Sequence, residues 1–431
     1  MKRWRTQLIG VGLTGMVWLG YALLGRRVAR YVFAHFSETV MWLTVGSVMD
    51  AEKFVQNRLW EAAYLFSALV AVIIIHNLLT RIFLKKTSGQ NAHWIFHAIV
   101  GFVLVNLWLA VACHTTLFWF AFWQGKEGTT GLARFQVKYH VLRESRALPK
   151  AAIMGSSQAH RQVDDQLLNG YLAPNLHTGE LGWPGARAYD VYLIHRGLDP
   201  STAQIIIWYF SEADFYLGLS GDTVPLFFGF KDIPDCRKFD LEKHIPVRIL
   251  SYGLLSDLLP AFYLRDVLSQ RILGPGVAMI RQRQHDATVK DNLDAGAAKF
   301  SRGFQINAES ALQKSALASL AMDCAKRQQR LVLIAGQLNP LLGRRLDPAL
   351  RIDMLSFLRE LQRQHPDIVL ITNPPFQEVS DYIDLTHVND ERRRAFTRFV
   401  AEQLKATVLT NVAASASIMP SGVFKTTNST P

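Results

Sequence analysis

The sequence predicts an α/β protein: a three-layer α/β/α sandwich around a mostly parallel five-stranded sheet, preceded by an N-terminal transmembrane helical region. Three observations carry this. The first 125 residues hold long apolar segments. The remainder holds four short apolar runs and a fifth, weaker one of mixed polarity at 175–181, each followed by turn-forming residues. Helix-like stretches separate several of those runs, and unbroken apolar strands alternating with helices imply a parallel sheet covered on both faces.

Composition agrees. Of 431 residues, 49% are hydrophobic and 19% charged, a balance that leans towards a membrane portion. The formal net charge of +12 suits an anionic membrane face or an anionic polymer. Basic residues are not interleaved with aromatics outside the apolar segments, so no nucleic-acid partner is expected. Cys113, Cys236 and Cys324 form no metal-ligand spacing and no disulfide framework, and two isolated thiols are expected at 236 and 324 rather than a bridge. No metal and no cofactor are expected.

Residues 1–125 read as a membrane anchor with about three spans. Lys2, Arg3 and Arg5 precede an uncharged stretch at 6–25, about 20 residues, the length that crosses roughly 30 Å of hydrocarbon. A signal peptide starts the same way, but no small-residue cleavage site follows, so an uncleaved anchor is expected. The second span covers 62–80. The third covers 94–123, long enough to tilt or to continue as a membrane-proximal helix, and its aromatic end at 118–123 suits an interfacial belt. Residues 39–49 are apolar but too short to span. Lys2, Arg3 and Arg5, with Arg81, Lys85 and Lys86 in the second loop, favour a cytoplasmic N-terminus, against Arg26, Arg27 and Arg30 in the first loop. The expected location is the cytoplasmic membrane, multi-pass, with the C-terminal domain in the periplasm or outside the cell. His76, His97 and His114 are either functional intramembrane groups or neutral histidines bonded to a neighbouring helix.

Residues 130–405 read as the α/β domain. The strands are expected at 151–155, 175–181, 204–210, 330–336 and 367–372, and helices at 310–329, 347–365 and 390–404. An insertion at 215–305, apolar and helix-like around 249–272, is either a helical lid or membrane-facing flap or an extra packing layer. The tail at 408–431 reads as disordered.

The chemistry gathers at the carboxyl ends of the strands, where such sheets bind ligands. Gly155-Ser156-Ser157 ends the first strand and opens a helix, and a serine there presents its hydroxyl at the sheet edge. Asp384-x-x-His387, after the last strand, supplies a base and the carboxylate that fixes its tautomer. Asp381 is a nearby substitute carboxylate. The bland alternatives are a helix cap for Ser157 and a surface histidine for His387. Gln158 and Arg161 on the following helix, Ser211 after the third strand and Asn339 after the fourth are candidate substrate-binding residues. His160 beside Arg161 is a candidate anion ligand. Gln337 and Asn339 suit a cleft lining or a polar turn equally.

These blocks resemble the SGNH (GDSL-like) esterase and acyltransferase superfamily over roughly residues 148–405. Ser157 matches the nucleophile of its first block. Gly185, in Leu181-Gly182-Trp183-Pro184-Gly185-Ala186, matches the second-block glycine whose N–H joins that of the nucleophile in the oxyanion hole. Asp384 and His387 match its last block. The third block is altered: Phe210-Ser211-Glu212-Ala213-Asp214 lacks the usual glycine and asparagine, and one missing oxyanion donor typically costs about 3–4 kcal/mol. An anchor followed by such a domain is similar to cell-envelope members, including the D-alanine transfer protein of lipoteichoic acid and the alginate O-acetyltransferases. The resemblance implies an acyl donor, a polysaccharide or other envelope acceptor, and a membrane-bound O-acyltransferase partner. The alternative it leaves is a catalytically weakened scaffold that binds polymer or that partner.

Overall fold

The structure is a computed structural model and describes residues 7–20, 24, 51–84, 90–122, 131–145, 149–219, 223–264, 267, 293–372 and 378–409. The apolar stretch 39–49, the basic residues Lys2, Arg3, Arg5, Arg26, Arg27 and Arg30, and residues 410–431 of the expected disordered tail 408–431 lie outside the described residues; its first two residues are ordered instead, Val408 buried in a hydrophobic cluster at the end of the last helical stretch.

Five strands form one sheet in the order β2-β1-β3-β4-β5, and every pairing is parallel. They are β1 Lys150–Gly155, β2 His177–Glu180, β3 Ile205–Phe210, β4 Arg330–Ala335 and β5 Val369–Ile371. The unbroken apolar runs follow from burial on both faces. Ala152 and Met154 of β1, Ile206, Trp208 and Phe210 of β3, and Leu331 and Leu333 of β4 enter one hydrophobic cluster. Ala151 and Ile153, Ile205 and Ile207, and Val332 and Ile334 enter another on the opposite face. Period-two alternation divides each strand between two cores.

Helices close both faces. Pro348–Gln364 presents Leu350, Met354, Leu358 and Leu361, all buried, at helical spacing to the first cluster. Its start is marked by Asp347, whose carboxylate accepts the Ala349 N–H at 2.9 Å, with Pro348 in the first turn. Ala308–Lys326 packs on the same side, capped by Asn307. Asp390–Leu404, capped by Asn389, buries Phe396, Val400 and Leu404 in the second cluster. The edge strands are shorter than their sequence windows, because only the residues that bond β1 or β4 hold extended geometry.

Two helices, Val55–Phe83 and His93–Ala112, are long and apolar enough to cross a membrane. Many of their large apolar side chains, such as Leu69, Ile73, Ile95 and Phe102, are exposed. Within the first expected span, the described residues include an apolar helical stretch, Gln7–Gly20. The third expected span requires correction. It is not one continuous helix: the helix ends at Ala112, the chain turns, and a short helix, Thr116–Phe120, begins from the Thr115 cap. The physical reason is a distant carboxylate. Glu61 accepts the N–H groups of Thr116 at 3.1 Å and Leu117 at 2.7 Å, satisfying donors at this new helix start. Trp119, expected at an interfacial belt, is instead fully buried in the main core with its indole on the Cys113 carbonyl.

The described part of the insertion packs as a layer. Val224, Phe228, Leu250, Leu264 and Val267 join the main core. It also touches an apolar helix, the Ala261 N–H bonding Asn106 at 3.0 Å. His76 and His97 approach each other at 3.3 Å between the two long helices. Cys113, Cys236 and Cys324 are all free thiols.

Candidate active site

Strand order reverses between β1 and β3, and in open parallel sheets ligands bind outside the carboxyl ends at such a switch point. Ser157 stands there. The turn that carries it needs glycine: Gly155 has φ +142°, and a Cβ would lie 2.4 Å from the Tyr209 carbonyl oxygen and 2.9 Å from the Ala159 Cβ. Ser156, not Ser157, caps the helix Ser157–Gln162, its hydroxyl accepting the Gln158 N–H at 3.3 Å. Ser157 is therefore the first helical residue. Its hydroxyl is spared for other work, and its N–H belongs to the first turn, where donors lack helical acceptors.

Asp384 and His387 meet Ser157 at this edge, although His387 lies 230 residues later in sequence. His387 Nε2 lies 2.9 Å from Ser157 Oγ, and His387 Nδ1 lies 2.7 Å from Asp384 Oδ2. An ionised carboxylate only accepts, so Nδ1 carries the proton and Nε2 is the acceptor that faces the hydroxyl. The other Asp384 oxygen accepts the N–H groups of Thr386 at 2.7 Å and His387 at 2.8 Å. Burial works to raise the Asp384 carboxyl, but the His387 hydrogen bond and charge and these two N–H groups outweigh it and hold it below its ordinary value. Asp381 does not reach the histidine. It is buried, accepts the Glu378 N–H at 3.2 Å and pairs with Arg392 at 2.5 Å.

The loop is clamped from two sides. Asn339, fully buried, donates from Nδ2 to the Asp384 carbonyl at 2.9 Å and from its N–H to the Leu385 carbonyl at 3.1 Å, while its Oδ1 takes the Leu341 N–H. On the other side, the side-chain amides of Gln158 at 3.3 Å and Gln162 at 2.8 Å donate to the Thr386 carbonyl. Asn339, Gln158 and Gln162 thus hold the Asp384–His387 turn against the helix Ser157–Gln162. Arg161 is exposed on that helix, with no carboxylate at ion-pair distance among the described residues.

The loop after β2 touches the turn that carries Ser157. The Trp183 N–H bonds the Gly155 carbonyl at 2.8 Å, and Gly185 takes φ +78°, a conformation that favours glycine. Among the described residues the Gly185 N–H makes no intramolecular hydrogen bond. Glu180 fixes the start of this loop. One oxygen accepts the Gly182 N–H at 2.8 Å; the other takes Lys138 Nζ at 2.8 Å and His160 Nδ1 at 3.1 Å. Burial would raise the Glu180 carboxyl, yet Lys138 and His160 pull it far below the ordinary range. Burial holds His160 below its usual value despite that partner.

The end of β3 holds Ser211 and Asp214, both fully buried. Asp214 Oδ2 accepts the Ser211 N–H at 2.6 Å and faces its hydroxyl at 3.3 Å. Burial raises the Asp214 carboxyl to about 6, against the lowering effects of Arg187, Ser211 and Ser156. Nearby, at the carboxyl ends of β3 and β4, a cleft of about 470 Å³ is lined by Glu212, Gln337, Arg344 and Arg351.

Sequence reasoning passed over Glu180 and the roles of Gln162 and Asp214. The partners of Glu180 lie 42 and 20 residues away, so no local spacing announces them. No protein-family model matches the chain, and no curated protein matches it either.

Proposed function

We propose that this chain is a membrane-anchored serine O-acyltransferase or esterase of the SGNH type, acting on acyl groups of a cell-envelope or exported polysaccharide through an acyl-enzyme on Ser157. The observation that carries the reading is the hydrogen-bonded chain from Ser157 Oγ through His387 to Asp384, at the switch point of a parallel sheet. On this reading, Ser157 Oγ attacks the acyl carbonyl carbon as its proton passes to His387 Nε2. Asp384 stabilises the imidazolium that forms and keeps its orientation. The N–H groups of Ser157 and Gly185 receive the developing oxyanion. His387 then returns the proton to the departing alkoxide, leaving acyl-Ser157. An acceptor hydroxyl gives its proton to His387 and attacks that ester, releasing Ser157 and forming the transferred ester; water in the same place gives hydrolysis.

The anchor and the altered third block favour transfer. Ser211 and Asp214 occupy the segment in which the superfamily carries its asparagine donor, and Asp214 is engaged with Ser211 rather than turned outward as a neutral donor. Two helices of spanning length support membrane attachment. The proposed site lies in the cytoplasmic membrane protein's extracytoplasmic domain, with a membrane-bound O-acyltransferase as a natural source of acyl groups.

The test is direct trapping. Purified protein mixed with p-nitrophenyl acetate and acid-quenched should carry one acetyl group on the peptide that contains Ser157, by mass spectrometry. The Ser157→Ala protein should carry none. Acetylation that survives Ser157→Ala, or that is absent from well-folded wild type, contradicts the acyl-enzyme. The second outcome favours a scaffold that binds polymer or an acyltransferase partner.

A further inference from the structure

At the amino-terminal edge of the sheet, opposite to Ser157, the ends of the two apolar helices meet the folded domain. Arg58, near the start of Val55–Phe83, pairs with Glu144 at the end of the helix Gly131–Glu144. Cys113 follows the end of His93–Ala112 directly. Lys150, the first residue of β1, donates from Nζ to the Arg143 and Ser145 carbonyls there. A cavity of about 350 Å³ opens at this junction.

Its lining joins two unlike surfaces. Trp119, Phe135, Phe227 and Tyr263 form aromatic walls, with Phe135 and Phe227 in edge contact at 5.2 Å. Two cations, Arg143 and Lys231, also line it. Among the described residues, Arg143 bonds the His114 carbonyl at 3.2 Å and His140 Nδ1 at 3.0 Å, both neutral acceptors. Lys231 bonds the Arg196 carbonyl at 3.0 Å. Among the described residues, neither cation has a carboxylate at ion-pair distance. Asp257, the acidic member of the lining, has an oxygen committed to the Phe230 N–H at 2.9 Å.

Two cations without ion-pair partners, beside aromatic walls and next to the ends of helices of spanning length, match one chemical class. A phosphate answers the guanidinium and the ammonium with charge-assisted bonds. The glycerol and first methylenes behind it answer the aromatic wall. A membrane supplies that combination at the depth where a span ends. We propose that this cavity binds the phosphate headgroup of an anionic membrane phospholipid. The proposal takes the two long helices as membrane spans and is independent of any chemistry at Ser157.

The experiment uses the full chain in neutral detergent micelles, titrated with short-chain phosphatidylglycerol, short-chain phosphatidylcholine or inorganic phosphate, with thermal unfolding as readout. Phosphatidylglycerol should raise the unfolding temperature saturably, and phosphatidylcholine should bind at least about tenfold more weakly. The double variant Arg143→Gln/Lys231→Gln should lose about tenfold or more in phosphatidylglycerol affinity. Lys231→Gln alone, at an exposed position, separates loss of binding from loss of folding and should show an intermediate loss. Equal responses to the two lipids overturn the proposal. So does unchanged phosphatidylglycerol affinity in a folded Lys231→Gln protein. Inorganic phosphate matching phosphatidylglycerol also overturns it, because the site is then one for a free anion.

Discussion

Glu180→Gln removes the charge from a buried carboxylate that ties the loop after β2 to the helix Ser157–Gln162. Glutamine keeps an oxygen for the Gly182 N–H, but its amide then meets Lys138 Nζ and His160 Nδ1, now 2.8 and 3.1 Å from the carboxylate. Removing one member of a buried ion pair typically costs about 3–5 kcal/mol. Lys138 retains Asp165 at 2.9 Å, which places the expected loss at the lower end, about 3 kcal/mol. For a domain of this size that lowers the apparent unfolding temperature by on the order of 10 °C. The pH dependence has a definite sign. A carboxyl whose folded pKa is depressed stabilises fully above its unfolded pKa, about 4.3, and loses that contribution as pH falls towards the folded value. The gap between wild type and variant should therefore be flat from about pH 6 to pH 8 and narrow only below about pH 4. Thermal unfolding of the purified chain in detergent, followed by tryptophan fluorescence at several pH values, measures it. A loss below about 1 kcal/mol at neutral pH would refute the reasoning. So would a gap that closes between pH 6 and 8, since the pair would then follow a histidine rather than a carboxylate.

Other predictions follow from single contacts. Asp384→Asn leaves His387 without its carboxylate acceptor and should slow acylation of Ser157 by about 10³- to 10⁴-fold, read as single-turnover rate, with near-normal unfolding. Asn339→Ala strips the Asp384 carbonyl of its side-chain donor and the Leu341 N–H of its acceptor; it should cost about 1–3 kcal/mol in denaturant unfolding and slow acylation as well. Gly155→Ala meets the Tyr209 carbonyl and an unfavourable φ, and should reduce soluble yield and unfolding temperature more than any exposed Gly→Ala change. Asp214→Asn should stabilise at pH 8 by up to about 3 kcal/mol and not at pH 4. The sign follows because a carboxyl raised to about 6 by burial makes the folded state less stable as pH rises from about 4 to 6.

Much of the sheet was legible because burial on both faces leaves an unmistakable run such as Ile205-Ile206-Ile207-Trp208-Tyr209-Phe210. The edge strands were less so: β2 reads His-Thr-Gly-Glu, and only its pairing with β1 makes it a strand. Hydropathy carried the third apolar segment past Ala112, because the break there depends on Glu61, fifty-five residues earlier. At the candidate site, Ser157, Asp384 and His387 stood out through short-range spacing, whereas the groups that hold them did not. Asn339 read equally as a cleft lining or a polar turn, and its side chain is spent on the Asp384 turn and the Leu341 N–H. Glu180 acquires its partners only when the helix Gly131–Glu144 and the nucleophile helix are brought against β2. Asp214 was visible in sequence, but its burial beside Ser156 and Ser211 was not.

The most direct test of the account is reaction of the purified, folded protein with a serine-reactive fluorophosphonate, wild type beside Ser157→Ala and His387→Ala. The account predicts strong labelling of wild type at Ser157, none of Ser157→Ala, and labelling of His387→Ala slowed by several orders of magnitude. Absence of labelling in folded wild type, or equal labelling of wild type and His387→Ala, would contradict a Ser157 activated by His387.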